Sequence, residues 1–395
     1  MKFAKRVSRI GESATLAVSR RAKELAAEGV EVIDLSAGEP DFDSPTVAIE
    51  GAIAALREGM TRYTAAAGLP ELRAALAADY ARRYGAPWEA ANVVVGVGGK
   101  AVLFEAILAL VGSGDEVILP SPYWVTFPEQ VRFAGGKVVT VETRPEEGFQ
   151  LDADAILAAM TADTRLVIVN SPCNPTGGVI AAADLRRVAE ACAERGILLL
   201  SDETYEHFLY DGASFASSAP LAVELPETVL LVGSFSKTYA MTGWRVGYLL
   251  APPAVTRAVT AIQSHATSNA TTFAMAGALT ALERAGETVP EMVAEYQARR
   301  DLVMEGLAAI PGFECVAPRG AFYAFPRVDA CYGGDVEGSV DLCRHLLDTA
   351  RVALVPGAAF GADAFLRISF AASRDSIERG LARVARAVGE LHTAR

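Results

Sequence analysis

Lys237 lies in Gly233-Ser234-Phe235-Ser236-Lys237-Thr238, directly after an apolar run, and Met241-Thr242-Gly243-Trp244-Arg245-Val246-Gly247 follows it. A lysine among hydroxyls and aromatic rings at the end of a buried strand loses its proton easily and becomes a nucleophilic amine. Arg245 could hold a phosphate nearby. The plainer alternative for the segment is an exposed loop lysine. A second signal is Ser201-Asp202-Glu203-Thr204-Tyr205, after the apolar residues 197–200. A carboxylate at the end of a buried strand is costly unless a cation meets it. A metal or a protonated ring nitrogen would serve. No His/Asp/Glu cluster with metal-ligand spacing lies nearby, so the ring nitrogen is favoured and no metal site is expected.

Two further segments have the composition of ligand-binding turns. Ser171-Pro172-Cys173-Asn174-Pro175-Thr176-Gly177-Gly178 follows the apolar residues 166–169. Its prolines and glycines fix a rigid turn at a strand end, where open α/β sheets bind ligands. Asn174 would present an amide there at a set angle. Cys173 has no histidine nearby to make it a nucleophile. Gly96-x-Gly98-x-x-Ala101 matches the relaxed dinucleotide fingerprint. Lys100 in the turn and the motif's distance from the first strand-helix-strand unit argue against a nicotinamide nucleotide. A glycine-rich turn opening a helix still offers free N–H groups and a positive dipole end to a phosphate. A plain tight turn is the alternative. The Walker pattern is absent.

These signals need a scaffold that brings strand ends together. Candidate strands fall at 32–35, 92–97, 116–119, 138–142, 166–170, 197–201, 229–233 and 246–250. Most are continuous apolar runs, the pattern of strands buried on both faces. Helical stretches such as 101–111 and 182–195 lie between them. The alternation predicts an α/β fold, a mostly parallel sheet with helices on both faces. After about residue 285 the pattern changes to a long charged helix over 290–309, short strands near 321–325, 352–355 and 366–370, and helices over 340–350 and 374–391. The expectation is a large domain over 46–285 and a smaller α+β domain built from 1–45 and 286–395.

Composition limits the function classes. The 395 residues are 51% hydrophobic and 21% charged, an ordinary globular mix rather than a disordered one. The 36 basic and 48 acidic residues leave a formal charge of -12, which disfavours nucleic acid as a partner. No run is long enough for a membrane-spanning helix. The start MKFAKRVSRI is basic without an apolar core, unlike a signal peptide. The five cysteines form neither a disulfide framework nor a CxxC pair. A cytoplasmic protein with no membrane partner is expected.

Together, Gly38-Glu39-Pro40-Asp41-Phe42, Tyr63, the Asn174-Pro175-Thr176-Gly177 turn, Asp202-x-x-Tyr205, Ser234-x-Ser236-Lys237 and Gly243-x-Arg245-x-Gly247 resemble the class I aminotransferases. These are fold-type I enzymes that use pyridoxal 5'-phosphate. The resemblance runs from Ser13 to Phe370. It is strongest toward the bacterial Ib subgroup of aspartate aminotransferases, at 38–45, 121–124 and 240–247.

The resemblance implies roles residue by residue. Lys237 would bond to the cofactor and shuttle the Cα proton. Asp202 would pair with the ring nitrogen, Tyr205 and Asn174 would reach the ring oxygen, and Trp124 would stack on the ring. Gly99, Lys100, Ala101, Ser234, Ser236 and Arg245 would hold the phosphate. Tyr63 would reach the phosphate of a second subunit, giving a homodimer with shared sites. Arg367 would clamp the substrate's α-carboxylate, helped by the Gly38 backbone. Lys100, with Ser13 and Thr15, would take a distal carboxylate. Amino acids and 2-oxo acids are then the small-molecule partners, and aspartate with 2-oxoglutarate the expected pair. Relatives that use prephenate often carry a basic residue two positions before the serine matching Ser13; here that position is Gly11. Prephenate or a broader acceptor range is the alternative. A non-catalytic binding module and a dehydrogenase built on the Gly96 turn are the other classes, and the intact Lys237 and Arg367 argue against the first.

Overall fold

A computed structural model of the chain describes residues 2–11 and 14–393. In chain order its strands are β1 (Ile33–Asp34), β2 (Val93–Val97), β3 (Glu116–Ser121), β4 (Lys137–Glu142), β5 (Thr164–Asn170), β6 (Leu198–Asp202), β7 (Val229–Ser234) and β8 (Val246–Leu250). The later strands are β9 (Tyr323–Ala324), β10 (Val352–Ala353), β11 (Val355–Pro356) and β12 (Leu366–Ser369). The central sheet has seven strands in the order β2-β8-β7-β6-β5-β3-β4.

Its interior strands are apolar because both faces are covered. Side chains alternate between faces along a strand. Val167 and Val169 of β5, Leu199 of β6 and Leu231 of β7 enter one buried cluster. Leu166, Ile168, Leu200 and Val232, one residue out of step, enter another across the sheet. The helix Ala182–Arg195 and the helix Gly99–Leu110 contribute to these opposite layers.

Direction decides where the site forms. The pairs β3–β4, β3–β5, β5–β6 and β6–β7 are parallel, whereas β8 runs antiparallel to both β2 and β7. The carboxyl ends of β2, β5, β6 and β7 therefore share one edge. At the same edge β8 begins, directly after Arg245. Asn170 lies opposite Asp202, and Asp202 opposite Val232. Loops leaving adjacent strands at this edge bring residues distant in sequence into one cleft.

The C-terminal part builds separate, smaller sheets. β11, β12 and β9 form an antiparallel three-stranded sheet in that order. The segment 32–35 does not belong to the central sheet. Its strand β1 pairs parallel with β10, through Ile33–Val352 and Asp34–Ala353. Its apolar pattern was legible, but its partner lies more than 300 residues away, beyond any local periodicity. An aromatic core of Phe208, Tyr210, Tyr296, Phe322 and Phe370 packs beneath this unit. The helix Thr288–Ala308 lies against the helix Arg374–Thr393.

Candidate active site

The sheet edge opens into a cleft of about 570 Å³. Five lysine and arginine side chains line it against three carboxylates. In a chain of charge -12 that local excess selects anionic ligands, and it places several cations where few acids can neutralise them.

Asp202 forms part of the cleft floor at the end of β6, 6% exposed. Its Oδ1 accepts from the Thr204 N–H at 3.1 Å. Burial pushes its carboxyl pKa up, while the Thr204 hydrogen bonds and the Lys237 charge pull the other way. A carboxylate so buried keeps its charge best when a cationic ligand group meets it. Beside it Tyr205 shares a hydrogen bond with Tyr323, hydroxyl to hydroxyl, at 2.9 Å.

Lys237 leaves the end of β7 on the short helix Phe235–Thr238, which Ser234 caps by accepting from the Ser236 N–H at 3.1 Å. Its ammonium donates to the Gly38 carbonyl. Burial lowers its pKa to about 8; Glu39 opposes that shift, and the cations Arg367, Arg245 and Lys100 reinforce it. Far more of this amine is neutral near neutral pH than of an ordinary lysine, and the neutral form is what attacks a carbonyl or takes a proton from carbon.

Two groups whose chemistry suits anions lie in the same cleft. Arg367, on β12 and 2% exposed, donates from Nη1 to Asn174 Oδ1 at 3.1 Å and from Nη2 to the Ser36 carbonyl at 2.7 Å. Its guanidinium lies 4.4 Å from the Tyr323 ring centre, and its buried Nε donates no hydrogen bond. These partners are neutral, so the cation keeps capacity for a bidentate carboxylate.

The second such group is the turn into the helix Gly99–Leu110, which has no side-chain cap. Gly98 holds φ +85°, and a Cβ there would come 2.4 Å from Arg245 Nη2. A Cβ on Gly247 would fall 2.1 Å from the Gly99 nitrogen. The glycines thus let helix start, β8 and Arg245 converge on one point, where free N–H groups and a guanidinium suit a phosphate. Arg245 is exposed, donating to the Thr242 carbonyl at 2.8 Å. Lys100 turns away from the helix so that its ammonium sits 4.9 Å from the Trp124 ring centre. Burial and Arg245 lower its pKa.

Most of the residues singled out from sequence meet here: Gly38, Gly99, Lys100, Trp124, Asn174, Asp202, Tyr205, Ser234, Ser236, Lys237, Arg245 and Arg367 all line the cleft. Others do not. Ala101 lies outside the lining, and its N–H closes onto the Gly98 carbonyl at 3.1 Å. Tyr63 stands 87% exposed on the surface. Ser13 lies outside the described residues. Thr15 falls on the helix Ala14–Ala27, with its side chain outside the described set. The Gly11 N–H donates to Glu129 Oε2 at 2.9 Å. Burial raises the Cys173 thiol pKa, which disfavours a thiolate there. Sequence reasoning missed Tyr323, Ser36 and Lys23, all in the lining. A tyrosine in a short apolar strand carries no local signal of a site. Among the described residues no group of three histidine, cysteine or acidic side chains could hold a metal ion. No described helix is long and apolar enough to cross a membrane.

Comparison with known proteins gives one answer. Residues 30–384 match the family model described as aminotransferase class I and II. A probable aspartate/prephenate aminotransferase of Aquifex aeolicus is 45% identical, over 98% of this chain and 99% of the relative. The aspartate aminotransferase of Geobacillus stearothermophilus is 42% identical, with 98% of each chain covered. Among solved structures, Thermus thermophilus aspartate aminotransferase with maleate superposes with a TM-score of 0.93 at 42% identity, covering 98% of this chain and all of that one.

Proposed function

The chain belongs to the class I and II aminotransferases, and from that premise we propose that it moves the amino group of L-aspartate to 2-oxoglutarate, giving oxaloacetate and L-glutamate, with pyridoxal 5'-phosphate as cofactor. The observation that carries this reading is the convergence of a partly neutral lysine, a buried carboxylate and two groups suited to anions in one cleft. The residues fit the cofactor. Asp202 would hold the ring nitrogen, Trp124 a ring face, and Tyr205 with Asn174 the ring oxygen. The N–H groups of Gly99 and Lys100, with Ser234, Ser236 and Arg245, would hold the phosphate. When bound, the cofactor supplies an electron sink for the negative charge that develops on the substrate Cα.

The chain's own residues then do three things. Arg367 binds the α-carboxylate and fixes the substrate's orientation. Lys237 Nζ takes the Cα proton and later returns one, a role suited to an amine titrating near 8. Lys100 takes the distal carboxylate, which favours dicarboxylic donors. The solved relative with maleate, itself a four-carbon dicarboxylate, supports a dicarboxylic ligand. A homodimer fits the surface: Ile49, Ile53 and Leu56 form an exposed apolar stripe at i, i+4 and i+7 on the helix Thr46–Arg57, with Tyr63 exposed shortly after it. There Tyr63 would complete the partner's phosphate site.

The deciding experiment measures turnover of wild type and Lys237→Ala with aspartate, glutamate, alanine and phenylalanine as donors. 2-Oxoglutarate, oxaloacetate and prephenate serve as acceptors, prephenate because a 45%-identical relative carries it in its name. Wild type should prefer aspartate with 2-oxoglutarate, and Lys237→Ala should lose multiple turnovers. Full turnover in the variant would sink the assignment.

A further inference from the structure

Residues 38–44 form a strap across the cleft. On its inner side it is tied to the turn that carries the cleft lysine. The Gly38 carbonyl accepts from Lys237, and Glu39 Oε2 accepts from Thr242 Oγ1 at 2.9 Å. Ser44 Oγ donates to the Ala240 carbonyl at 2.8 Å and accepts from Trp244 Nε1 at 3.0 Å.

On its outer side one side chain dominates. Arg299, on the helix Thr288–Ala308 and 7% exposed, donates from Nη1 to both carboxylate oxygens of Asp41, at 2.7 and 2.9 Å. Its Nε donates to Glu295 Oε1 at 2.8 Å. The guanidinium lies 5.2 Å from the Phe42 ring centre and 5.5 Å from that of Tyr296, and those two rings meet edge to face. Arg299 therefore grips consecutive strap residues, Asp41 by charge and Phe42 by its ring face. Ser44 keeps the far end of the strap in place without it. Among the described residues, the Gly38–Asp41 half makes no other ion pair.

We propose that Arg299 is a positioning residue for Lys237, acting through Asp41 and the strap to hold the Gly38 carbonyl on the lysine and keep the cleft closed over it. The proposal rests on the reading of Lys237 as the reacting amine. The Arg299 side chain is 8% exposed and the Asp41 side chain 31%, so removing either partner releases the outer anchor of the strap and lets the segment that bears Asp41 shift toward water. The displaced segment here is the one lying against Lys237. A purely structural Arg299 would lower stability without changing the lysine.

The test uses Arg299→Met, Asp41→Asn, the double variant and Arg299→Lys, with Arg374→Ala as control. Arg374 binds Glu295 in the same network and leaves the Asp41 pair intact. In the cofactor-free protein, amine-selective labelling of Lys237 is followed across pH by peptide mass. The wild-type midpoint should lie near 8, where burial holds it against Glu39 and with the help of Arg367, Arg245 and Lys100. In Arg299→Met and Asp41→Asn, water admitted past the loosened strap should move it up toward the ordinary lysine value, because burial acts on this lysine more strongly than the Glu39 charge that leaves with the strap. Arg374→Ala should not move it.

In the loaded enzyme kcat/KM should fall about tenfold or more, the scale of one lost charged hydrogen bond. Aspartate and alanine should lose equally, because the strap acts at the reacting lysine. The double variant should be no worse than the worse single one, and Arg299→Lys, which keeps the charge but not the fork or the ring contact, should recover only part of the loss. An unmoved midpoint in folded variants, or a loss confined to dicarboxylates, overturns the proposal. If Arg299→Met does not fold, Asp41→Asn decides by the same criteria. Lys237→Ala separates the two readings: its retained turnover would remove the functional premise, whereas the labelling midpoint reports on the strap alone.

Discussion

Lys100→Ala tests the substrate assignment directly. The Lys100 ammonium lies 4.9 Å from the Trp124 ring centre, within the cleft that Arg367 also lines. Two interactions disappear in the variant, and they differ in which donors feel them. The cation–π contact is worth about 0.5–1 kcal/mol at a site open to water, so every donor should lose about two- to fivefold. The hydrogen bond to a distal carboxylate is worth about 1.5–3 kcal/mol, and only dicarboxylic donors make it. The ratio of kcat/KM for aspartate to that for alanine should therefore fall between about tenfold and about a hundred and fifty-fold. Arg367→Ala is the comparison. Every amino acid carries the α-carboxylate, so that variant should harm aspartate and alanine alike. Both variants must first be brought to full cofactor occupancy, read from absorbance. The pH dependence adds a second check. Burial and Arg245 lower the Lys100 pKa, so the wild-type preference for aspartate should fade on the alkaline side, beginning below the ordinary lysine value of 10.5. Equal losses for all donors in Lys100→Ala would show that the residue serves the cofactor or the fold, and would refute the dicarboxylate argument.

Two other perturbations follow from the geometry. Gly247→Ala places a Cβ 2.1 Å from the Gly99 nitrogen and 2.5 Å from the Gly98 carbonyl carbon, so the phosphate turn must shift; titration of the cofactor-free protein with pyridoxal 5'-phosphate should show affinity falling by about tenfold or more, and unchanged affinity would mean that the turn does not hold the phosphate. Glu203 is 1% exposed and accepts from Ser201, Ser217 and Ser218, and burial raises its pKa to about 7 from an ordinary 4.5. The folded state thus binds a proton that the unfolded chain releases between about 4.5 and 7, and wild type loses stability as pH rises through that window. Glu203→Gln does not titrate, so its melting temperature relative to wild type should rise across the same window; a difference that stays flat with pH would contradict the placement of that proton.

Much of this protein can be read along the chain. The doubly buried strands were legible in runs such as 166–170 and 229–233, because a strand covered on both faces has no polar positions to interrupt it. The helix Ala182–Arg195 was legible from composition and spacing. Lys237 and Asp202 stood out because a charged group directly after such a run must lie at the rim of a core. Local order carries that information, since burial and period act within a few residues. Other features had no local trace. Arg367 meets Asn174 across 193 positions, and Tyr323 meets Tyr205 across 118. The reversed direction of β8, which brings Arg245 to the edge where β2, β5, β6 and β7 end, depends on which neighbours it pairs with. The pairing of β1 with β10 and the grip of Arg299 on Asp41 join segments more than 250 residues apart. Hydrophobic pattern determines that a segment is buried, but not against what. Partner, direction and register emerge only when all the buried faces and backbone hydrogen bonds are satisfied at once, which is a property of the whole fold.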